Sequence, residues 1–242
     1  MNSWLPALWA ETLKARRSKA FVLTAIGFAL FPLVSGLFMI ILKDPAAAQA
    51  MGLISMKAQL VAGTADWPTF FDMLLQSTAM GGFILMAFIM AWVFGREFSD
   101  RTAKELLALP TPRRVIVGAK FVLTALWALG LTLMLFVLGL GVGAAVDVPG
   151  WSPELAWSSF WSLMTIAVLN LMLMPFVALF ASAGRGYLPP LGWAFCSFLL
   201  AQIISVLGWG DWFPWSVPGL LSGMCGPQGA EQSGMHSYIL IL

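Results

Sequence analysis

The chain has 242 residues, 60% of them hydrophobic and 10% charged, with a formal net charge of +2. Soluble domains carry about 25% charged residues, so this composition, with a mean hydropathy of +0.88 and several apolar runs near 20 residues, excludes an ordinary soluble domain. It predicts an all-α, polytopic helical membrane protein that forms a single transmembrane domain over residues 1–242.

Residues 2–19 read NSWLPALWAETLKARRSK. Trp4, Leu5, Leu8, Trp9, Thr12 and Leu13 share one helical face, and Glu11, Lys14, Arg16 and Arg17 mostly avoid it. This predicts a helix lying in the membrane interface, with Trp at headgroup depth and basic groups toward anionic lipid. The next run, Ala20–Leu42, is 23 residues without a charge. That is a full span and longer than the roughly 7–15 residues of a signal-peptide core. Ala46-Ala47-Ala48 offers an A-x-A-like site, so cleavage there stays open.

A polar-leaning segment follows, and the second span is predicted over 73–95. Gly81-Gly82 inside it reads either as a close helix contact or as a kink. The third span is predicted over 121–146, where Gly139 and Gly143 satisfy a small-xxx-small spacing. The fourth covers 155–183 and holds Asn170 and Pro175; the fifth covers 187–209 and holds Gln202. Residues 210–234 form an outer loop rich in Gly, Pro and Trp. Trp209, Trp212 and Trp215 fall within seven residues, a pattern that suits either an aromatic-belt anchor or an outer gate built on Trp212 and Trp215. The last apolar stretch, 235–242, has eight residues. At 1.5 Å per residue it reaches about 12 Å against a core of about 30 Å, so as it stands it is an incomplete sixth span or does not cross.

Basic residues set the orientation. With the N-terminus in the cytoplasm, eleven Lys and Arg face inward (Lys14, Arg16, Arg17, Lys19, Arg96, Arg101, Lys104, Arg113, Arg114, Lys120 and Arg185), and only Lys43 and Lys57 face outward.

The five full predicted spans contain no Asp, Glu, Lys, Arg or His, which argues against an ion-coupled pump. The chain has no H-E-x-x-H, G-x-S-x-G or Walker pattern. Cys196 lies in an apolar run and Cys225 in a Gly-rich loop, and His236 has no ligand set near it, so neither a disulfide framework nor a metal site is predicted. Asn170 and Gln202 are the polar groups within spans, read as interhelical hydrogen bonds or as pathway contacts. Energy for transport would then have to come from a partner on the cytoplasmic face.

The surface for that partner is the stretch 96–120, REFSDRTAKELLALPTPRRVIVGAK, which carries nine of the chain's 24 charged residues. Ser99 or Asp100 can cap a short helix that Pro110 and Pro112 stop. Glu97–Arg101, Asp100–Lys104 and Arg101–Glu105 are i,i+4 pairs of opposite charge, and Ala103, Leu106 and Leu107 share an apolar face. The plain alternative is a solvated helix that only joins two spans.

Two stretches resemble the type-2 ATP-binding-cassette (ABC) exporter permeases, particularly the bacitracin and lantibiotic-immunity kind. One is L-x-A-E-x-x-K-x-R-R at Leu8–Arg17. The other is the succession of Glu97, Arg101-Thr102, Leu106-Leu107, Pro110, Arg113 and Lys120. The resemblance implies a six-helix permease in the bacterial cytoplasmic (inner) membrane, from which the incomplete sixth span departs. It implies a dimer with a second, identical or homologous permease subunit, and two copies of a cytoplasmic ATPase. ATP and Mg belong to that partner, and this chain has no catalytic, cofactor or metal residues and no nucleic-acid partner. The short helix after the second span is then the coupling helix. Leu106-Leu107 would seat in an ATPase groove, and Glu97, Arg101 and Glu105 would form its charged rim. The implied substrate is a peptide antibiotic, a lipid-linked compound or another amphipathic molecule. Two other readings remain open. One is a membrane enzyme acting on lipid-linked substrate with Asp211 and Glu231 at its site, and the other is a non-transporting scaffold.

Overall fold

The computed structural model describes residues 4–44, 64–102 and 111–224. These are helical and contain no strand among the described residues. Helix α1 is Trp4–Arg16, α2 Lys19–Lys43, α3 Trp67–Ser99, α4 Arg113–Ala145, α5 Pro153–Ala183 and α6 Leu188–Val206; a five-residue α7, Val217–Leu221, follows two 3-10 turns. Helices α2 to α6 are each long and apolar enough to cross a membrane. Residues 235–242, and with them the sixth-span question, lie outside the described residues, as do 45–63 and the Ala46–Ala48 site.

The helices outrun the predicted spans at charged ends. At 1.5 Å per residue the 33-residue α3 and α4 are about 50 Å long against a hydrocarbon core of about 30 Å. Charge limits how deep a helix sits in lipid, but it does not stop the backbone ladder. Thus α3 starts at Trp67, six residues before the apolar run, because the Asp66 carboxylate accepts the Thr69 N–H at 2.9 Å and Pro68 occupies the first turn. At its other end α3 runs on to Ser99 and stops at Asp100.

α3 is the most buried of the five crossing helices, packed along α5, while α2 packs along α4 and α6 along α5. Within α3 a single π-turn spans Thr78–Gly82. Gly81 resolves as a close contact: a Cβ there would lie 2.5 Å from the Phe31 ring of α2. Gly139 and Gly143 likewise carry a helix contact, since added Cβ atoms would meet Leu74 at 2.7 Å and Trp67 at 2.3 Å. All Lys and Arg among the described residues lie at the α1 end of the bundle except Lys43, whose Nζ donates to the carbonyls of Val146 and Asp147 at the far end.

Candidate functional site

The site is a ring of four alternating charges where three helices meet. Glu97, in the last turn of α3, and Lys120, two turns into α4, point inward rather than to solvent. The Lys120 ammonium has three N–H donors and three acceptors: Glu97 Oε1 at 2.8 Å, Val93 O at 2.9 Å and Glu11 Oε2 at 3.2 Å. Lys14 closes the ring, donating to Glu11 Oε1 at 2.8 Å and to Glu97 Oε1 at 3.3 Å. Each carboxylate therefore meets two ammonium groups and each ammonium two carboxylates, so the ring is neutral. Glu11, Glu97 and Lys120 are buried at 6%, 8% and 4% exposure, which charged groups tolerate only when paired in this way. Lys14 is the member open to solvent. Burial works to lower its pKa, but the hydrogen bonds and charges of Glu11 and Glu97 outweigh burial and hold it above the ordinary lysine value.

The ring sets which side of α1 faces the bundle. Its inner face is Leu8, Glu11 and Ala15, packed on α4, and the aromatic face is turned out, with Trp4, Leu5 and Trp9 exposed. Trp4 still lies against α4 by one edge, over Gly118, where a Cβ would sit 2.5 Å from the indole.

The ring also corrects the sequence reading of 96–120. Glu97 forms no pair with Arg101 and is not part of an exposed rim, because its carboxylate is taken by Lys14 and Lys120. Arg101 follows the end of α3 in the left-handed region, at φ 59°, and it and Thr102 are exposed. Asp100 pairs with Arg96 at 3.0 Å. Arg113 opens α4 and is exposed. Lys104, Glu105, Leu106, Leu107 and Pro110, with the short apolar face, lie outside the described residues. The predicted spans were free of charge only because they stopped at Gly95 and began at Phe121, one residue short of Arg96 and of Lys120.

The other singled-out residues do not join this site. Asn170 is fully buried in α5 and donates to Thr78 O at 3.1 Å, across to the π-turn of α3. Its Oδ1 has no partner among the described residues. Gln202 is half-buried and lines a small cleft with Met80, Ser205 and Trp215. The two loop tryptophans part company. Trp215 packs into an aromatic cluster, 5.2 Å from Phe176 and 6.1 Å from Trp193, while Trp212 is 66% exposed beside Trp209 and Leu207.

Among the ring members, sequence reasoning gave Glu97 a coupling role and Lys14 only a lipid-facing one. The signal for the other three was present. Glu11, Lys14 and Lys120 all fall in the two stretches that carried the family resemblance, and the fold brings those stretches together.

Comparison with known proteins agrees. A family model described as ABC-2 family transporter protein matches residues 7–201, a stretch that includes the whole ring. The chain belongs to this family and is a multi-pass membrane permease of an ABC transporter, a class that works with an ABC ATPase and a permease partner. A curated relative, the bacitracin transport permease protein of Bacillus licheniformis, is 26% identical over 148 residues, covering 61% of this chain and 71% of that one. No solved structure matches.

Proposed function

We propose that this permease couples ATP hydrolysis by two copies of a cytoplasmic ATPase to export of an amphipathic compound, and that the charge ring is the joint through which the coupling passes. The proposed setting is a dimer in the bacterial inner membrane with the N-terminus in the cytoplasm. ATP and Mg are used by the partner, and this chain supplies no ATPase site. The name of the bacitracin permease relative supports a peptide antibiotic as the substrate class.

One observation carries the coupling reading. Glu97 and Lys120 flank the polar segment on its two sides, one on each adjoining span, and they bond to each other and to α1. A push on the segment between them therefore moves the ends of α3 and α4 as one body, together with the N-terminal helix. Leu106 and Leu107 offer the apolar anchor for docking, which should carry most of the binding energy, with exposed Arg101 adding a weaker, salt-sensitive term.

The test is co-purification and reconstitution with the ATPase. Leu106→Asp places an unpaired carboxylate in the docking groove and is expected to abolish recruitment. The pair Glu97→Gln with Lys120→Met removes one acid and one base, leaving Glu11–Lys14 intact. It is expected to recruit the ATPase normally yet transport severalfold less substrate per ATP. Wild-type transport per ATP in that pair would remove the ring from the coupling path, and normal recruitment of Leu106→Asp would remove the docking assignment.

A further inference from the structure

A second basic feature lies beside the ring and shares only Lys14 with it. The α1–α2 turn, the last turns of α3 and the residue preceding α6 enclose a pocket of about 400 Å³ whose walls include Lys14, Arg17, Trp92, Arg96, Asp100 and Tyr187. Three cations face one carboxylate there. Lys14 is engaged by the ring, and Arg96 spends its Nε on Asp100 at 3.0 Å. Two binding capacities remain. Arg17 is exposed and has no ion pair among the described residues, and Arg96 Nη1 is buried without a hydrogen-bond partner among them. Such an orphaned guanidinium N–H is costly unless an acceptor meets it. The Arg96 guanidinium lies over the Trp92 ring, its Cζ 5.0 Å from the ring centroid, in cation–π contact. A planar guanidinium with a free N–H beside a second arginine matches the oxygens of a phosphate, which offers acceptors to both.

The surroundings say which phosphate. Trp92 and Tyr187 are amphipathic rings of the type that sit at headgroup depth. Just beyond Arg17 and Ser18, Phe21, Val22 and Leu23 of α2 are 44%, 58% and 59% exposed, and next to Tyr187 the side chain of Leu188 is 84% exposed. The helices that lead away from two of the pocket's walls thus carry exposed apolar residues within their first turns, a surface that suits the acyl chains of a headgroup and that a free ion does not use. We propose that this pocket binds the phosphate of an anionic phospholipid in the leaflet at the α1 end, with the acyl chains running along exposed α2 and α6. A bound lipid there would brace the α1–α2 turn against α3.

The experiment is native mass spectrometry of the purified full-length permease in detergent, supplemented with phosphatidylglycerol or with phosphatidylcholine. The wild type is expected to retain a single phosphatidylglycerol per chain in preference to phosphatidylcholine. Arg17→Gln with Arg96→Gln is expected to lower that retention about tenfold, the scale of a lost charge-assisted hydrogen bond. Arg17→Gln alone, at an exposed position with no partner to lose, is expected to lower it about threefold on the same basis without altering the melting temperature. Arg114→Gln, an exposed base outside the pocket, leaves retention unchanged. Equal retention of the two lipids, or unchanged retention in the double variant, would overturn the site. Displacement of the lipid by millimolar sodium phosphate would overturn its assignment to a lipid.

Discussion

The two ends of this bundle are held by different physics. At the α1 end, Glu11, Lys14, Glu97 and Lys120 fasten three helices through paired charges, three of them shielded from water. At the far end the lock is a matter of shape. Trp67 stands edge-on to Phe70 and Trp151 at 5.6 and 4.7 Å, its N–H of the backbone is accepted by Pro149 O at 3.0 Å, and its indole occupies the space that Gly143 leaves by having no Cβ. A buried charge ring is a poor source of net stability but a strict judge of arrangement, since any displacement strands a charge. An aromatic contact on a glycine yields more gradually, because its attraction is spread over many weak atom pairs.

The largest expected effect comes from breaking the ring on one side only. Lys120→Met leaves Glu11 and Glu97 sharing Lys14, and half-breaking a buried pair costs about 3–5 kcal/mol. The melting temperature of the purified permease should fall further for this variant than for any other single change proposed for stability. Adding Glu97→Gln should restore most of the loss, because the remaining Glu11–Lys14 pair is balanced. A double variant as unstable as Lys120→Met would mean that the lysine acts by packing rather than by charge.

The matching blow at the far end is Gly143→Val. The added Cβ falls 2.3 Å from the Trp67 ring, and overpacking of this kind costs about 1–3 kcal/mol. Trp67→Leu in the same chain makes room and should recover part of that loss, although Lys120→Met should show no such coupling to Trp67→Leu, being at the other end of the bundle. Gly141→Ala, inside the same helix where nothing lies within 4 Å, is the control and should melt at or slightly above the wild type, by up to about 1 kcal/mol of helix propensity. Coupling between the two ends in this comparison would show that they are one lock and not two.

The two locks were not equally legible in the sequence. Five crossing helices could be read from uncharged runs because lipid tolerates little else. The Gly139/Gly143 spacing announced a helix contact, but Trp67, the ring that fills it, was placed in a loop, since Asp66 and Asp72 masked the start of α3. At the α1 end the residues were in view and their direction was not. An amphipathic pattern gives the faces of a helix and not the side chains that another helix brings to them. The sequence of α1 alone cannot show that Lys120 lies 3.2 Å from Glu11, 109 residues away. Glu97 was likewise read against its own i,i+4 neighbour, because local pairs are all that spacing reveals. Asn170 reads as an interhelical hydrogen bond or a pathway contact, and the π-turn whose carbonyl it meets has no signature that the Gly81-Gly82 pair makes unique.

The smallest expected effect sharpens the contrast at the start of α3. Asp66 is a charged group at the far end, but it works as a cap and not as an ion pair. Its Oδ1 accepts the Thr69 N–H at 2.9 Å and its Oδ2 accepts the Thr64 hydroxyl. Burial works to raise its pKa, yet the hydrogen bonds from Thr64 and Thr69 outweigh burial and hold it below the ordinary aspartate value. A carboxyl whose pKa is depressed on folding stabilises the fold above its unfolded pKa, near 4, and loses that contribution as pH falls through the lower, folded value. Asp66→Ala should therefore cost about 1 kcal/mol at neutral pH, the ordinary value of an N-cap. The difference from wild type should hold down to about pH 4 and narrow below it. Hydrogen exchange of the Thr69 and Phe70 amides reads this turn alone, apart from the ring. Exchange rates that differ between wild type and Asp66→Ala by the same factor at every pH would show that the cap acts through its geometry and not through its charge.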